Sequence, residues 1–165
     1  MKTIVIYQSS TGFTKQYAEW IATDLQCKAV SIKEASEKIV REYDQVIFGG
    51  WSMANMVNGL DKIRKMNPKN LVIFMVGATP ESVLDMPAIR EVNHIANEPF
   101  FYMTGGMRFD KLNFVVRGML KVMGKSVAKK ENKTPADEFM AKMLGKSFDY
   151  TDRKQIDALV AAVQA

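Results

Sequence analysis

The sequence is poor in the residues that carry out chemistry by themselves. Its 165 residues include one cysteine, Cys27, and one histidine, His94. A single cysteine excludes an intramolecular disulfide and a dithiol site. His94 lies in a helical segment away from the strand ends, so we expect it on the surface without an acid–base role. No His, Cys, Asp or Glu cluster has the spacing of metal ligands. We therefore expect no metal site, and we expect the chemistry to come from a bound cofactor.

The sequence also lacks a long hydrophobic run. No stretch approaches the roughly 20 apolar residues that cross a bilayer, and the N-terminal run Met1–Tyr7 is too short for the core of a signal peptide. The length is typical of one domain. We therefore expect a single domain over residues 1–165, in the cytoplasm or associated with the inner face of the membrane.

Positive charge is concentrated in one segment. Residues 107–133 hold eight Lys and Arg against two Asp and Glu, whereas residues 1–106 hold eleven of each kind. Such a segment is expected to meet a negatively charged partner. It has no DNA-binding motif, so we do not expect a nucleic acid as that partner.

Short apolar runs alternate with segments of helical periodicity. This alternation predicts an α/β protein with a doubly wound, five-stranded parallel sheet in the order 2-1-3-4-5. The predicted strands are Thr3–Tyr7, Ala29–Ile32, Gln45–Gly49, Leu71–Val76 and Phe100–Met103. The predicted helices are Phe13–Leu25, Glu34–Val40, Val57–Met66, Pro87–Ile95 and Asp152–Val163.

An insertion of about residues 107–150 separates the fifth strand from the last helix, and it exceeds the usual length of such connections. Its first part predicts an amphipathic helix. The apolar stripe of that helix is Leu112, Val115, Val116, Met119, Leu120 and Met123, and its basic flank is Lys111, Arg117, Lys121 and Lys125. The helix is compatible with contact to an anionic membrane, with a lid over a flat anionic ligand and with ordinary packing on the domain.

The loop after the first strand has the character of a phosphate site. Four hydroxyl side chains surround Gly12 in the run Ser9-Ser10-Thr11-Gly12-Phe13-Thr14, and a helix follows directly. The N-terminus of that helix offers free N–H groups and a partial positive charge. The loop has no Lys or Arg before Lys15, and it matches neither the P-loop nor the dinucleotide-binding motif. These features favour a static monophosphate over a simple helix cap.

The run Ser9–Thr14 resembles the phosphate loop of flavodoxins, and the surrounding residues resemble the opening of flavodoxin-domain proteins. This resemblance implies a flavodoxin-like fold with FMN as the cofactor. It also implies that the flavin ring lies between the loops after the third and fourth strands. The ring-binding residues would then be Gly50, Trp51, Ser52, Met53 and Ala54 in one loop, and Gly77, Ala78 and Thr79 in the other. For Trp51, a position in the core under the loop is an equal alternative.

The end of the fifth strand carries a second, narrower resemblance. The aromatic residues before Gly105 and Gly106, followed by a basic amphipathic helix, resemble the flavodoxin-like, quinone-dependent protoporphyrinogen oxidases. We include both glycines in the predicted cofactor site. The implied function is an FMN-dependent oxidoreductase acting on a porphyrinogen-like or quinone substrate. Two alternatives remain: an electron-carrier flavodoxin that exchanges electrons with a redox partner, and a non-catalytic FMN-binding module.

Overall fold

The centre of the fold is a sheet of five parallel strands. The computed structural model describes all residues from Met1 to Ala165. The parallel strands pair in the order β2-β1-β3-β5-β6, and the short strand β4 pairs only with β3. Without β4, which lies outside the parallel sheet, the parallel strands follow the order 2-1-3-4-5, and this confirms the predicted order. The strands are β1 (Thr3–Gln8), β2 (Lys28–Ser31), β3 (Gln45–Met53), β4 (Met56–Val57), β5 (Leu71–Gly77), β6 (Phe100–Thr104), β7 (Gly106–Met107) and β8 (Phe148–Asp149).

Helices cover both faces of the sheet, as a doubly wound fold requires. On one face, Tyr17 of the first helix and Leu159 of the last helix share a buried cluster with Phe74. On the other face, the three middle helices bury apolar residues such as Ile63 against Phe48. The helices are α1 (Phe13–Asp24), α2 (Glu37–Arg41), α3 (Leu60–Lys65), α4 (Met86–Val92), α5 (Phe114–Ala128), α6 (Pro135–Met143) and α7 (Asp157–Gln164).

The third strand is longer than predicted. It continues past Gly49 to Met53 and turns back into β4 through Ala54 and Asn55, which have φ angles of 49° and 64°. Two central residues with positive φ make the tight turn that suits the twist of a hairpin. Gly49 is part of this strand, and the residue there must be a glycine because the Phe74 ring occupies the space that a side chain would need. The predicted ring loop after the third strand is therefore mainly the end of a strand.

Three predicted helices begin later than expected. The last of them starts as a 3₁₀ turn over Arg153–Ile156 and becomes α-helical only at Asp157. The other two begin late because of local contacts. The side chain of Ser36 accepts a hydrogen bond from the N–H of Ile39, so α2 begins at Glu37 instead of Glu34. Val57 belongs to β4, so α3 begins only at Leu60. In these two helices, a side-chain cap in one case and hairpin pairing in the other bond the backbone groups that precede the helix. Each helix therefore begins a few residues later.

The two ends of the insertion are joined by a short antiparallel pair of strands. Met107 of β7 pairs with Phe148 of β8, and α5 packs on α6 between them. Neither hydrophobic core includes a residue between Met103 and Ile156. No helix of the chain combines the length and the apolar composition needed to cross a bilayer.

The predicted stripe on α5 is divided between two faces. Val116 and Leu120 are half-buried, whereas other apolar residues of the helix are exposed. The exposed residues are Phe114, Val115, Met119, Val122 and Met123. Arg117 does not belong to the exposed basic flank, because its guanidinium lies over the Phe109 ring and donates to the carbonyl of Asp110.

Candidate functional site

The predicted loops meet at the carboxyl edge of the sheet. Gln8 of β1 lies opposite Gly50 of β3 in the ladder. Gly77 of β5 lies opposite Thr104 of β6, and the N–H of Gly105 donates to the Gly77 carbonyl over 2.8 Å. The carboxyl edge of an open α/β sheet is where ligands bind. Strand register alone therefore brings the four predicted segments to one rim.

The loop after β1 leaves the start of α1 without a side-chain cap. Gly12 is the N-cap residue, with a φ of 103° that favours glycine, and it offers no side-chain hydrogen bond to the helix. By contrast, Asn113 caps α5 and Thr134 caps α6. The N–H groups in the first turn of a helix have no partner within the helix. The α1 N-terminus is therefore free to bind an anion.

The hydroxyl groups of this loop differ in their contacts and exposure. Ser9 Oγ accepts a hydrogen bond from the Gly12 N–H over 3.2 Å, which closes the loop. Ser10 is exposed, Thr11 is half-buried and Thr14 is only 1% exposed. The side chain of Phe13 is part of the core beneath the loop, so this residue can offer a ligand its backbone N–H but not its ring.

Arg108 reaches the same loop from the beginning of the insertion, which sequence reasoning missed. Its Nη1 donates to the Thr11 carbonyl over 2.6 Å. Its guanidinium carbon lies 4.4 Å from the centroid of the Phe13 ring. The two partners are about a hundred positions away in sequence, so no local pattern indicates the contact.

Trp51 lies beside the phosphate loop and outside the hydrophobic cores. It is half-buried and lines a cleft of about 350 Å³ that also contains Ser9 and Ser10. Two exposed lysines, Lys33 and Lys62, line the same cleft and were not predicted as site residues. The cleft combines an aromatic surface, hydroxyl groups and positive charge, which suit a planar anion. It does not include the loop after β5.

The loop after β5 is held by a buried tyrosine. Tyr102 Oη donates to the Thr79 carbonyl over 2.6 Å. A Cβ atom on Gly77 would lie 2.2 Å from the hydroxyl oxygen of Tyr102, so only glycine fits at this position. Burial raises the pKa of Tyr102, with a further contribution from the negative charge of Glu81. Gly77 thus shapes the loop, whereas Ala78 and Thr79 are half-exposed at the rim.

Gly105 and Gly106 both lie where surrounding atoms leave no room for a side chain. A Cβ atom on Gly105 would lie 2.8 Å from Val76 Cγ1, and one on Gly106 would lie 2.2 Å from the Phe148 carbonyl oxygen. Packing alone accounts for both glycines. Their role in cofactor binding stays a prediction.

Tyr17 and Gln155 brace the end of β6. Tyr17 Oη donates to the Thr104 carbonyl over 2.6 Å and accepts from the Asp152 N–H over 3.2 Å. Gln155 Oε1 accepts from the Thr104 N–H over 2.6 Å. Burial raises the pKa of Tyr17 to about 12. These bonds fix the strand end from which the insertion departs.

Asn93 fixes the β3–β4 hairpin and was also missed. The side chain is 5% exposed, and its Oδ1 accepts from the Val57 N–H over 2.7 Å. Its Nδ2 donates to the carbonyls of Asn55 and Ile89 over 2.7 and 2.8 Å. The neighbouring His94 is exposed. No group of three or more His, Cys, Asp or Glu side chains could hold a metal ion.

The comparisons with known proteins agree on the fold. A model of the flavodoxin domain family matches residues 4–135. The chain belongs to this family. None of the curated proteins matches the sequence of this flavodoxin domain.

Three flavodoxins are among the solved structures that are similar to this domain. A flavodoxin-like WrbA protein from Agrobacterium tumefaciens aligns at 20% identity with a TM-score of 0.40, over 48% of this chain and 62% of that one. A flavodoxin from the domain Archaea aligns at 19% identity with a TM-score of 0.45, over 67% and 89%. Oxidised flavodoxin 2 from Bacillus cereus aligns at 16% identity with a TM-score of 0.42, over 63% and 86%. These likenesses concern the fold alone.

Proposed function

We propose that this flavodoxin domain binds FMN at the carboxyl edge of its sheet. The observation that carries the proposal is the uncapped N-terminus of α1, enclosed by the hydroxyl-rich loop Ser9–Thr14. A terminal phosphate accepts hydrogen bonds from such N–H groups and is favoured by the helix dipole. A loop this short would enclose a single phosphate group, which favours a monophosphate over the pyrophosphate of FAD.

The other residues at the rim fit the remainder of FMN. The aromatic face of Trp51, with Ser52, Met53 and Ala54 in the same hairpin, would pack against the ring system. The N–H groups of Ala78 and Thr79 would face its polar edge. When bound, FMN supplies one- and two-electron transfer, which no side chain of this chain can provide.

We propose further that the domain is an oxidoreductase for an extended anionic substrate or a quinone. Two features support this proposal: Lys33 and Lys62 at the cleft, and the excess of positive charge in residues 107–133. The likeness of the insertion to that of protoporphyrinogen oxidases points to the same substrate class. An electron carrier or a binding module would use the same FMN site without a substrate of its own.

The FMN site is tested by removing a single buried hydroxyl. Thr14→Val keeps the shape of the side chain and removes its oxygen. We expect FMN binding to weaken by about 1–3 kcal/mol, or about 5- to 150-fold in Kd, in a fluorescence titration of the apoprotein. Thr23→Val is the matched control, because the Thr23 hydroxyl bonds to the Glu19 carbonyl near the other end of α1. A preference for FAD, or equal affinities in wild type and Thr14→Val, would refute the assignment.

The reaction class is tested with holoprotein under anaerobic conditions. Oxidised holoprotein is mixed with a porphyrinogen, and reduced holoprotein with a water-soluble quinone, while flavin absorbance is followed. An oxidoreductase should exchange electrons with at least one of these in a single turnover, and it should turn over repeatedly when an electron donor and an electron acceptor are supplied together. Exchange with a redox protein such as cytochrome c, and with neither small molecule, would favour the electron carrier.

The outward face of α5 supports a second proposal, contact with an anionic membrane surface. Half of the ten exposed large hydrophobic residues of the chain lie on this helix. Val115, Met119 and Val122 recur at i, i+4 and i+7 and are 55%, 53% and 65% exposed. Lys121 and Lys125 are exposed on the same helix. An apolar face with basic neighbours is typical of helices that lie in a membrane interface.

A vesicle flotation assay tests this surface. Binding is expected to vesicles that contain phosphatidylserine, to weaken as salt is raised, and to fall by about 1 kcal/mol for each charge removed in Lys121→Gln and Lys125→Gln. Val122→Glu should abolish it. The matched control is Val92→Glu, at an exposed valine of α4. Equal binding to neutral vesicles, or an unaffected Val122→Glu variant, would contradict the proposal.

A further inference from the structure

One guanidinium contacts two residues of the phosphate loop and leaves no room for a side chain on the glycine between them. Arg108 donates to the carbonyl of Thr11 and lies over the ring of Phe13. A Cβ atom on Gly12 would lie 2.8 Å from its Nη1. The insertion therefore touches the proposed cofactor site through this side chain at its very beginning.

This guanidinium has no carboxylate partner. None of the six ion pairs of the chain includes Arg108, although it is half-buried. Arg64, by comparison, is also partly buried and pairs with Glu98 over 3.0 Å. The Thr11 carbonyl is the one hydrogen-bond acceptor that the protein gives Arg108. A partly desolvated charge is stabilised when an anion lies close to it, and the protein itself provides none.

We infer that Arg108 is a positioning residue for the phosphate group, supplying the positive charge that the loop Ser9–Thr14 lacks. By holding Thr11 and Phe13 in place, it orients the N–H groups of the loop towards one point. Its charge makes the site selective for a flavin that carries a phosphate over the same flavin without one. This inference rests on the proposed binding of FMN.

A purely structural role for Arg108 makes a different prediction. If the side chain only packs on Phe13 and stabilises the loop, its loss should weaken FMN binding by the same factor at low and at high salt. If its charge acts on the phosphate, its loss should weaken FMN and leave riboflavin unchanged. The charge also makes FMN affinity fall as ionic strength rises, whereas riboflavin affinity should be insensitive to salt.

The test compares FMN and riboflavin titrations at low and high salt in four variants. Arg108→Gln and Arg108→Met remove the charge, and the second keeps an apolar stem against Phe13. We expect Kd for FMN to rise about tenfold, Kd for riboflavin to change less than twofold, and the salt dependence for FMN to diminish. Arg108→Lys should keep most of the salt dependence. The matched control is Arg90→Gln, because Arg90 also lies over an aromatic ring and donates to backbone carbonyls, far from the loop.

Each outcome separates this inference from the proposed function. An equal loss of FMN and riboflavin affinity, an unchanged FMN affinity in Arg108→Met, or an unchanged salt dependence of FMN binding in that variant overturns the inference and leaves FMN binding intact. Failure of the wild-type protein to bind FMN overturns both. Urea unfolding of every variant shows which of them are folded. If Arg108→Gln does not fold, the flavin titrations of Arg108→Met decide the test.

Discussion

Replacement of Asn93 by alanine should destabilise the protein more than any comparable change of a surface asparagine. The side chain makes three hydrogen bonds of 2.7–2.8 Å and is 5% exposed. Each such bond contributes about 0.5–1.5 kcal/mol, and an unsatisfied buried group costs about 1–3 kcal/mol. The buried N–H of Val57 would lose its acceptor. We therefore expect the free energy of unfolding to fall by about 2–4 kcal/mol.

Urea denaturation followed by circular dichroism measures this loss. Asn97→Ala is the control, since Asn97 is exposed and its side chain makes no hydrogen bond within the chain. The control should change stability by less than about 0.5 kcal/mol. A loss below 1 kcal/mol for Asn93→Ala, at an unchanged m-value, would refute the view that this side chain fixes the hairpin.

Loss of Asn93 should also act on the cofactor site. The hairpin that it anchors carries Trp51, Ser52 and Met53. A less ordered hairpin pays an additional entropic cost when a ligand orders it, so the affinity for FMN and for riboflavin should fall together. This joint loss distinguishes Asn93, which acts on the ring side, from Arg108, which acts on the phosphate.

Three further predictions concern the insertion and its junction with the sheet. Gly118→Ala, at a helical position with open space around it, should stabilise α5 by about 0.5–1 kcal/mol; Gly124→Ala should gain less in the same urea assay, because the new methyl carbon would lie 1.9 Å from Leu144 Cδ2. Deletion of residues 111–133 should leave cooperative thermal unfolding, because both cores lie outside it; non-cooperative melting would show that α5 is structural. Stability should fall as pH rises from 10 to 12, because the pKa of Tyr17 is raised by burial to about 12 in the folded protein and the folded state there holds a proton that the unfolded state releases. Tyr17→Phe should lessen this fall, and an identical fall would contradict the burial of that hydroxyl.

The sheet order could be predicted because the five strands are buried on both faces. Such strands are continuous apolar runs, and the alternation with helices then restricts the topology. The phosphate loop was predictable for a similar reason. The hydroxyls around Gly12 are adjacent in sequence, and the helix that they precede has clear periodicity. Local signals of this kind need no knowledge of distant contacts.

The rest of the site depends on contacts between distant residues. Asn93 and Arg108 act on loops that precede them by many positions, and neither lies in a motif. The hairpin was missed because Gly49 and Gly50 indicate a loop, whereas in the fold they allow Phe74 and β4 to pack closely. The apolar stripe of the insertion was treated as one face, although its residues serve two.

The central claim is that the N-terminus of α1 binds the phosphate of FMN, and an amide NMR titration tests it most directly. FMN is added to ¹⁵N-labelled apoprotein, and riboflavin to a second sample. With FMN, the account predicts the largest shifts at the amides of residues 10–15, together with shifts at Trp51 and residues 77–79. With riboflavin, only the ring-side amides should shift. Shifts of residues 10–15 that are equal with both ligands, or absent with FMN, would contradict the claim.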